Sequence, residues 1–291
     1  MFTFTSFSDL IRRAEDRQIP ISRVALEYEA AISETNPEAI LDKMRGNLQV
    51  MRQSIQNGLR EDLRSASGIS GGDGYRLWRH LSSGKGFSGE FLGTVLYSAL
   101  CISETNAAMG RIVAAPTAGS CGILPACLLT LQRLRGLDDD AVVMGLLNGA
   151  AAGVVIASNA SIAGAEGGCQ AECGSAAAMA ASAMTEMMGG TPAMCGHACA
   201  TALKSLMGLV CDPVAGLVEE PCIIRNASSA AVAVGAAEMA LAGIKSIIPV
   251  DEVIGAMKRV GSALPEALRE TAKGGLATTK TGKEITLRLH G

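Results

Sequence analysis

Aromatic side chains are nearly missing from this chain: five Phe, three Tyr and one Trp among 291 residues. A core without large rings must be built from Ala, Gly, Met, Leu, Val and Ile, which favours closely packed helices. Histidine is scarcer still. Only His80, His197 and His290 are present, and none stands in a loop suited to a Ser–His or Cys–His nucleophile. Basic charge is not in excess, with a net charge of −3, so nothing like a nucleic-acid-binding face is visible. No Gly-x-Gly-x-x-Gly or Gly-x-x-x-x-Gly-Lys-Ser/Thr element follows a strand pattern, and there is no Gly-x-Ser-x-Gly elbow. Nucleotide binding is therefore not supported.

The N-terminus has no basic segment leading into an apolar run, so no secretory signal is read there. The nine cysteines then point to a reducing, cytoplasmic setting with free thiols. The longest charge-free stretch, 141–165, could span a bilayer by count. It is mostly Ala and Gly, however, with Asn148, Ser158, Asn159 and Ser161 inside it. It reads as a buried helix and loop rather than a membrane span.

What is present is helical pattern. Phe7, Leu10, Ile11 and Ala14 recur at helical spacing, with Asp9, Arg12, Arg13 and Glu15 opposite. A second helix begins near Ser22. A third starts on Asn36 as N-cap with Pro37 at its first position, and runs to about Leu63. Helices are expected over about 90–109, 121–135, 140–157, 173–188, 192–208, 227–242 and 251–260, with Thr191-Pro192 another cap signal. The stretch 64–89 reads instead as two hydroxyl-rich loops, 65–74 and 82–88. No stretch alternates strongly enough to claim a strand, and no repeat or linker is found. The expectation is one all-α domain over 1–291, rich in Ala/Gly helices, with residues 1–65 as a helical N-terminal arm.

Chemistry is concentrated in cysteines beside Gly/Pro breaks. Cys169 sits in Gly-Gly-Cys-Gln-Ala-Glu-Cys, Cys211 in Val-Cys-Asp-Pro, and Cys222 in Glu-Glu-Pro-Cys-Ile-Ile-Arg-Asn, 42 and 11 residues apart. Thiolate is the ligand that soft metals and iron–sulfur clusters select. Three thiolates on a four-iron cluster would leave one iron open, which is what separates a catalytic metal from a structural one. Cys169/Cys173 and Cys195/Cys199 are each four apart and so share a helix face. Such pairs suit a metal, with His197 as a further ligand to zinc, or plain core packing. Cys101, Cys121 and Cys127 read as core. The loop 65–74 reads either as an anion cradle or as an exposed connector. Thr117 and Ser120, among glycines before an apolar helix, suit a carboxylate at a helix N-terminus or a simple helix junction.

Taken together, these segments resemble the iron–sulfur-dependent L-serine dehydratases, in particular the alpha chain of the two-subunit form. The matching residues are Ser67-Gly-Ile-Ser-Gly-Gly-Asp73, Asn106-Ala-Ala-Met-Gly-Arg111, and Ala115 through Pro125. They continue with Gly164 through Gly174, Cys211-Asp-Pro-Val-Ala-Gly216 and Pro221-Cys-Ile-Ile-Arg-Asn-Ala227. The resemblance covers essentially the whole chain. It implies a helical catalytic domain, a [4Fe–4S] cluster on Cys169, Cys211 and Cys222, and a cytoplasmic role in amino-acid catabolism and gluconeogenesis. Single-chain relatives carry a second domain, and some end in a cysteine tail. No cysteine follows Cys222 here, so the resemblance implies a separate beta chain and a hetero-oligomer.

That chemistry removes the α-proton of L-serine and expels its hydroxyl, without pyridoxal phosphate. Candidate bases are Glu166, Glu172 and Lys85. Thr117, Ser120 and the 65–72 loop, with Ser67, Gly68, Gly71 and Gly72, are assigned to the substrate carboxylate. Asn226 is assigned a polar contact, and Arg225 offsets the charge of the thiolates. Two competing readings are a zinc-stabilised helical interaction module on Cys195, His197 and Cys199, and a membrane or transport protein, suggested by a mean hydropathy of +0.29.

Overall fold

The computed structural model describes residues 4–291, so the Met1–Thr3 end of the N-terminal segment lies outside the described residues. Thirteen α-helices are present among them, with no sheet; the only strand-like pairing is an isolated parallel bridge between Cys211 and Arg269. The all-α expectation holds.

Capping residues set several helix starts. Ser6 accepts from the Asp9 N–H and opens α1 (Phe7–Asp16), which is followed by α2 (Ile21–Ile32). Asn36 accepts from the Ala39 N–H at 2.8 Å and, with Pro37, opens α3 (Pro37–Gly58). These three helices form no detached arm. Phe7, Leu10, Ala14, Ile21 and Val24 are fully buried, with α1 packed on the helices Pro192–Leu206 and Val250–Ala263, α2 on Asp139–Asn159, and α3 on Gly89–Ala107 and Asp139–Asn159.

The stretch read as two loops contains a helix, α4 (Asp73–Ser82). Tyr75, Leu77, Trp78 and Leu81 give it an apolar face that stays half-buried, Gly74 being its only buried residue, and the glycine- and hydroxyl-rich segments on both sides mask it in the sequence. A side chain far away in sequence secures it. Glu104, on α5 (Gly89–Ala107), accepts from the first two N–H groups of α4, Asp73 at 2.6 Å and Gly74 at 3.1 Å. A carboxylate at a helix N-terminus satisfies orphan donors and matches the dipole. Glu104 is fully buried, and that burial pushes its pKa up despite the two backbone bonds.

The remaining core helices follow their expected positions closely: α6 (Ile123–Arg135), α7 (Asp139–Asn159), α9 (Ser175–Met187), α10 (Pro192–Leu206) and α12 (Val250–Ala263), with the single-turn α8 (Gly164–Gly167) between α7 and α9. Three boundaries differ: α3 ends at Gly58, about five residues short of the expected Leu63. The first turn expected in α9 is a π-turn over Gln170–Gly174, and α11 (Cys222–Leu241) begins five residues early, directly after Pro221. A further helix, α13 (Lys280–His290), was not anticipated in the sequence; Thr279 caps it, accepting from the Gly282 N–H at 3.1 Å.

At the centre lies α9, whose Ala176, Ala177, Ala178, Ala180, Ala181 and Ala183 are all fully buried. It touches α6, α7, α10 and α11. Six methyl groups in one helix let four neighbours approach closely, which is how a core nearly free of aromatics fills its volume. Helix α7 is long and apolar enough to cross a membrane by length and composition. Here it is a core helix, packed on α2, α3, α6, α9 and α12. Its Asn148, fully buried, accepts from Ser182 Oγ at 2.7 Å and donates to Glu186 at 2.8 Å.

Helices α3 and α7 are also joined on the surface, where Arg52 pairs with Asp139 at the start of α7. The Arg52 hydrogen bond, with a second from Gln132, pulls the Asp139 carboxyl down from 3.8 to about 2. A depressed carboxyl contributes stability above its unfolded pKa and loses it as pH falls toward the folded one. Arg52→Ala should return the Asp139 pKa toward 3.8 in a carbon-detected NMR titration, and cost no more than about 1 kcal/mol because the pair is half exposed. Titration that stays near 2 in the variant would refute the assignment.

Candidate active site

Three chain segments meet around the cysteines, and backbone hydrogen bonds bring them together. The Gln170 N–H donates to Leu209 O at 2.9 Å, and the Gln170 side chain accepts from the Gly208 N–H at 2.9 Å, which ties the Cys169 segment to the Cys211 segment. Arg225, in the first turn of α11 after Cys222, donates to Val210 O at 2.8 Å. The Cys211 N–H donates to Leu268 O at 2.9 Å, and its carbonyl accepts from the Glu270 N–H at 2.8 Å. Residues 268–270 thus clamp an otherwise irregular stretch from the C-terminal side.

The thiols are sealed in: Cys169, Cys211 and Cys222 expose 2%, 3% and 8% of their surface. Cys173 joins them, with its Sγ 3.3 Å from that of Cys169. The Cys173 contact and then Arg225 lower the pKa of Cys169 against its burial, and the same contact raises Cys173. Burial, and then the negative charge of Cys169 and Glu172, pushes Cys222 up to about 12 and drives Cys211 the same way. Several thiolates can be held together here only beside a positive centre. Arg225 is one such group, ion-paired at 2.9 Å with the buried Asp212. Cys222 also opens helix α11, where free N–H groups favour a thiolate.

Among the described residues, no three His, Cys, Asp or Glu side chains converge at the distances a single ion requires. Thiolates on a multi-iron cluster bind different irons and stand farther apart than ligands to one ion. Four buried thiols, unpaired in disulfides and sharing one electrostatic neighbourhood, fit that donor chemistry. The zinc alternative fares worse. Cys195 and Cys199 are fully buried in the core face of α10, whereas His197 is two residues from each and so points elsewhere. Burial, then Lys245 and Lys204, lowers the His197 pKa.

Of the three candidate bases, only Glu172 stands with the thiols. Thr117 Oγ1 donates to Glu172 Oε1 at 2.7 Å and lies 3.1 Å from the fully buried Ser120 Oγ. Burial raises the Glu172 pKa, and Glu270 adds to the shift. Gly164 explains how these groups fit together. A Cβ there would stand 2.7 Å from Glu172 Oε2, and 3.1 Å from both Cys211 Sγ and Glu270 Oε2. Glu166 is exposed and accepts from Ser161 Oγ at 2.7 Å. Lys85 is exposed beyond the far end of α4, which by helical rise is about 15 Å from the Gly72 end. Glu270 was missed in the sequence because only the fold carries it to Cys211.

Asn226 is buried and occupied. Its amide donates to Gly119 O at 2.7 Å and Cys222 O at 2.9 Å, while its Oδ1 accepts from the Gly122 N–H at 2.9 Å. It fastens the Thr117–Gly122 turn to the start of α11, leaving little capacity for a ligand. The 65–72 loop is likewise brought in. Ser67 Oγ accepts from the Ile69 N–H at 3.1 Å, and Gly68, Gly71 and Gly72 all take positive φ. Ser70 of this loop donates to Glu219, in the loop before Cys222, at 2.7 Å. A cavity of about 320 Å³ between α2, α3 and α7 shares no residue with the cysteine site.

The fold and site together define a helical protein with a buried, Glu-flanked thiol centre built from three segments. The profile of the serine dehydratase alpha chain family matches residues 16–277, and the chain belongs to that family. It is 47% identical over 288 residues to the probable L-serine dehydratase, alpha chain, of Bacillus subtilis (strain 168), covering 99% of this chain and 96% of that one. It is 44% identical over 277 residues to the L-serine dehydratase, alpha chain, of Peptoniphilus asaccharolyticus, covering 95% of each. Against the L-serine dehydratase TdcG of Escherichia coli (strain K12), identity is 36% over 289 residues, covering 95% of this chain but only 62% of that longer protein.

The C-terminal clamp depends on one glycine. Asp212 Oδ2 accepts from the Leu276 N–H at 2.8 Å, and Gly275 beside it has a φ of +57°. A Cβ on Gly275 would stand 2.3 Å from that carboxylate oxygen. Gly275→Ala should lower stability by at least about 1–2 kcal/mol from backbone strain alone, read from urea unfolding, and should speed tryptic cutting at Lys280 and Lys283. Unchanged unfolding and unchanged cleavage would show that the clamp is not needed.

Proposed function

We propose that this chain is the catalytic alpha chain of an enzyme that dehydrates and deaminates L-serine to pyruvate and ammonia. Cys169, Cys211 and Cys222 would hold a [4Fe–4S] cluster with one iron left free of protein ligands. The observation that carries the reading is the meeting of these three cysteines, from three separate segments, beside Arg225. Such a cluster supplies Lewis-acid chemistry, drawing electrons from the substrate hydroxyl so that it can leave. Arg225, anchored by Asp212, offsets the accumulated negative charge.

The other residues do the positioning. Thr117, Ser120 and the 65–72 loop, with Ser67, Gly68, Gly71 and Gly72, offer hydroxyls and backbone N–H groups to the substrate carboxylate. Asn226 sets the position of the Thr117–Gly122 turn. Glu172 is the favoured base within this chain, because burial raises its proton affinity and it stands beside Cys211. Taking the α-proton and expelling the β-hydroxyl as water leaves aminoacrylate. Its imine form then adds water to give pyruvate and ammonia, so the sum of atoms requires no oxidant.

The longer single-chain relatives and the alpha-chain names support a separate beta chain that completes the enzyme as a hetero-oligomer. The nine unpaired thiols support a reducing, cytoplasmic setting.

The test is iron and acid-labile sulfide in anaerobically purified protein, with about four irons per chain expected for one cluster. Cys169→Ala, Cys211→Ala and Cys222→Ala should each lose iron and serine turnover. Cys173→Ala should keep both, since Cys173 is the thiol outside the ligand set. A colourless protein that resists reconstitution with iron and sulfide, or a Cys211→Ala variant with full iron and turnover, would overturn the assignment.

A further inference from the structure

Two segments that the proposed chemistry brings together are joined by a side-chain hydrogen bond. The 65–72 loop faces the task of holding the substrate carboxylate, and the 211–222 loop carries two of the three cysteines. Ser70 Oγ donates to Glu219 Oε2 at 2.7 Å, across 149 positions of sequence.

The contact is built into rigid surroundings on both sides. The Glu219 N–H donates to Leu217 O at 2.8 Å, and its carbonyl accepts from the Ile223 N–H at 2.9 Å, in the first turn of α11. Ser70 closes its own loop: its carbonyl accepts from the Ser65 N–H at 3.0 Å, and its N–H donates to Ser65 Oγ at 3.3 Å. Immediately after Ser70, the positive-φ Gly71 and Gly72 lead into α4, whose first N–H groups are held by the buried Glu104. Glu104 and Glu219 therefore both secure the C-terminal end of the loop, while the Ala66 N–H, donating to Ala107 O at 2.9 Å, fixes its start.

Glu219 is a costly residue to place here. It is 5% exposed, and among the described residues no Lys, Arg or His forms an ion pair with it. A buried carboxylate without a cation pays desolvation that one hydroxyl only partly offsets. Neutral packing would be more stable, so the carboxylate is better explained by what it holds than by stability.

We propose that Glu219 is a positioning residue: through Ser70 it holds the substrate loop in fixed register with the cysteine loop. Substrate bound through its carboxylate is then held at a set distance from the thiol centre, the kind of alignment on which proximity catalysis depends. The proposal rests on the reading above that the 65–72 loop binds the substrate carboxylate.

The test uses the enzyme assembled with its beta chain and compares Ser70→Ala, Ser70→Thr, Glu219→Gln and the double variant Ser70→Ala/Glu219→Gln. Three quantities are read: iron and sulfide per chain, kcat and KM for L-serine, and hydrogen exchange of the 66–72 amides. Ser70→Ala should raise KM about tenfold, the scale of one hydrogen bond to a charged acceptor, with a smaller change in kcat and full iron content. Exchange in the loop should quicken. Ser70→Thr, which keeps a hydroxyl, should restore both. Glu219→Gln, which keeps an acceptor, should be milder than Ser70→Ala, and the double variant no worse than Ser70→Ala alone. Unchanged KM and unchanged exchange in Ser70→Ala would overturn the latch. So would equal loss in Ser70→Ala and Ser70→Thr. If instead the parent enzyme holds no iron or does not turn over serine, the functional reading fails, and loop exchange alone still decides whether the latch exists.

Discussion

A buried stretch of irregular backbone cannot leave its N–H and C=O groups unpaired, and the site is organised by how residues 209–212 meet that demand. They belong to no helix, so their partners must come from elsewhere. Leu209 O takes the Gln170 N–H, Val210 O takes Arg225, and Cys211 pairs through both its N–H and its carbonyl with 268–270. Satisfying these groups draws in the Cys169 segment, the Cys222 segment and the C-terminal tail together. The thiols converge as a consequence of backbone hydrogen bonding rather than of any attraction between them; their charges in fact oppose one another.

The small-residue core is the condition that makes this possible. With α9 presenting mostly small side chains, six of them buried alanines, to four neighbours, the helices that end at the site approach closely enough for single turns to reach one another. The π-turn at Gln170–Gly174 sits where α9 must give up its regular ladder to deliver Cys169 and Glu172, a use such turns commonly serve. Absence of a side chain matters equally at Gly164, where Glu172, Cys211 and Glu270 crowd the space a Cβ would fill.

The same logic runs through the carboxylates. Glu104 holds the start of α4, Glu219 holds the 65–72 loop, and Glu172 takes the Thr117 hydroxyl. Each is buried or largely so without a cationic partner, and each ties a loop to a helix. Asp212 differs in having Arg225, and it holds the C-terminal clamp through Leu276.

Much of this was legible in the sequence. Helical period, Asn36-Pro37 and Thr191-Pro192 caps and the lack of alternating segments were enough to place most helices and to exclude a sheet. Short-range rules govern those features, and the residues involved lie within a few positions of one another. The unusual cysteine contexts and the resemblance of their segments to one family singled out the three segments that the fold brings together as the candidate site. Helices α4 and α13 were missed because each is short, ten and eleven residues, and α4 lies between the glycine- and hydroxyl-rich segments 65–74 and 82–88. The Glu104 cap, the Ser70–Glu219 contact, the approach of Glu270 to Cys211 and the isolation of Lys85 depend on partners 31 to 149 positions apart or on the far end of a helix. The amino-acid order by itself determined where most of the helices lie and which residue types could carry chemistry. Only the tertiary structure decided which of those residues meet, because that choice is made by long-range backbone pairing and close helix packing, which no local pattern encodes.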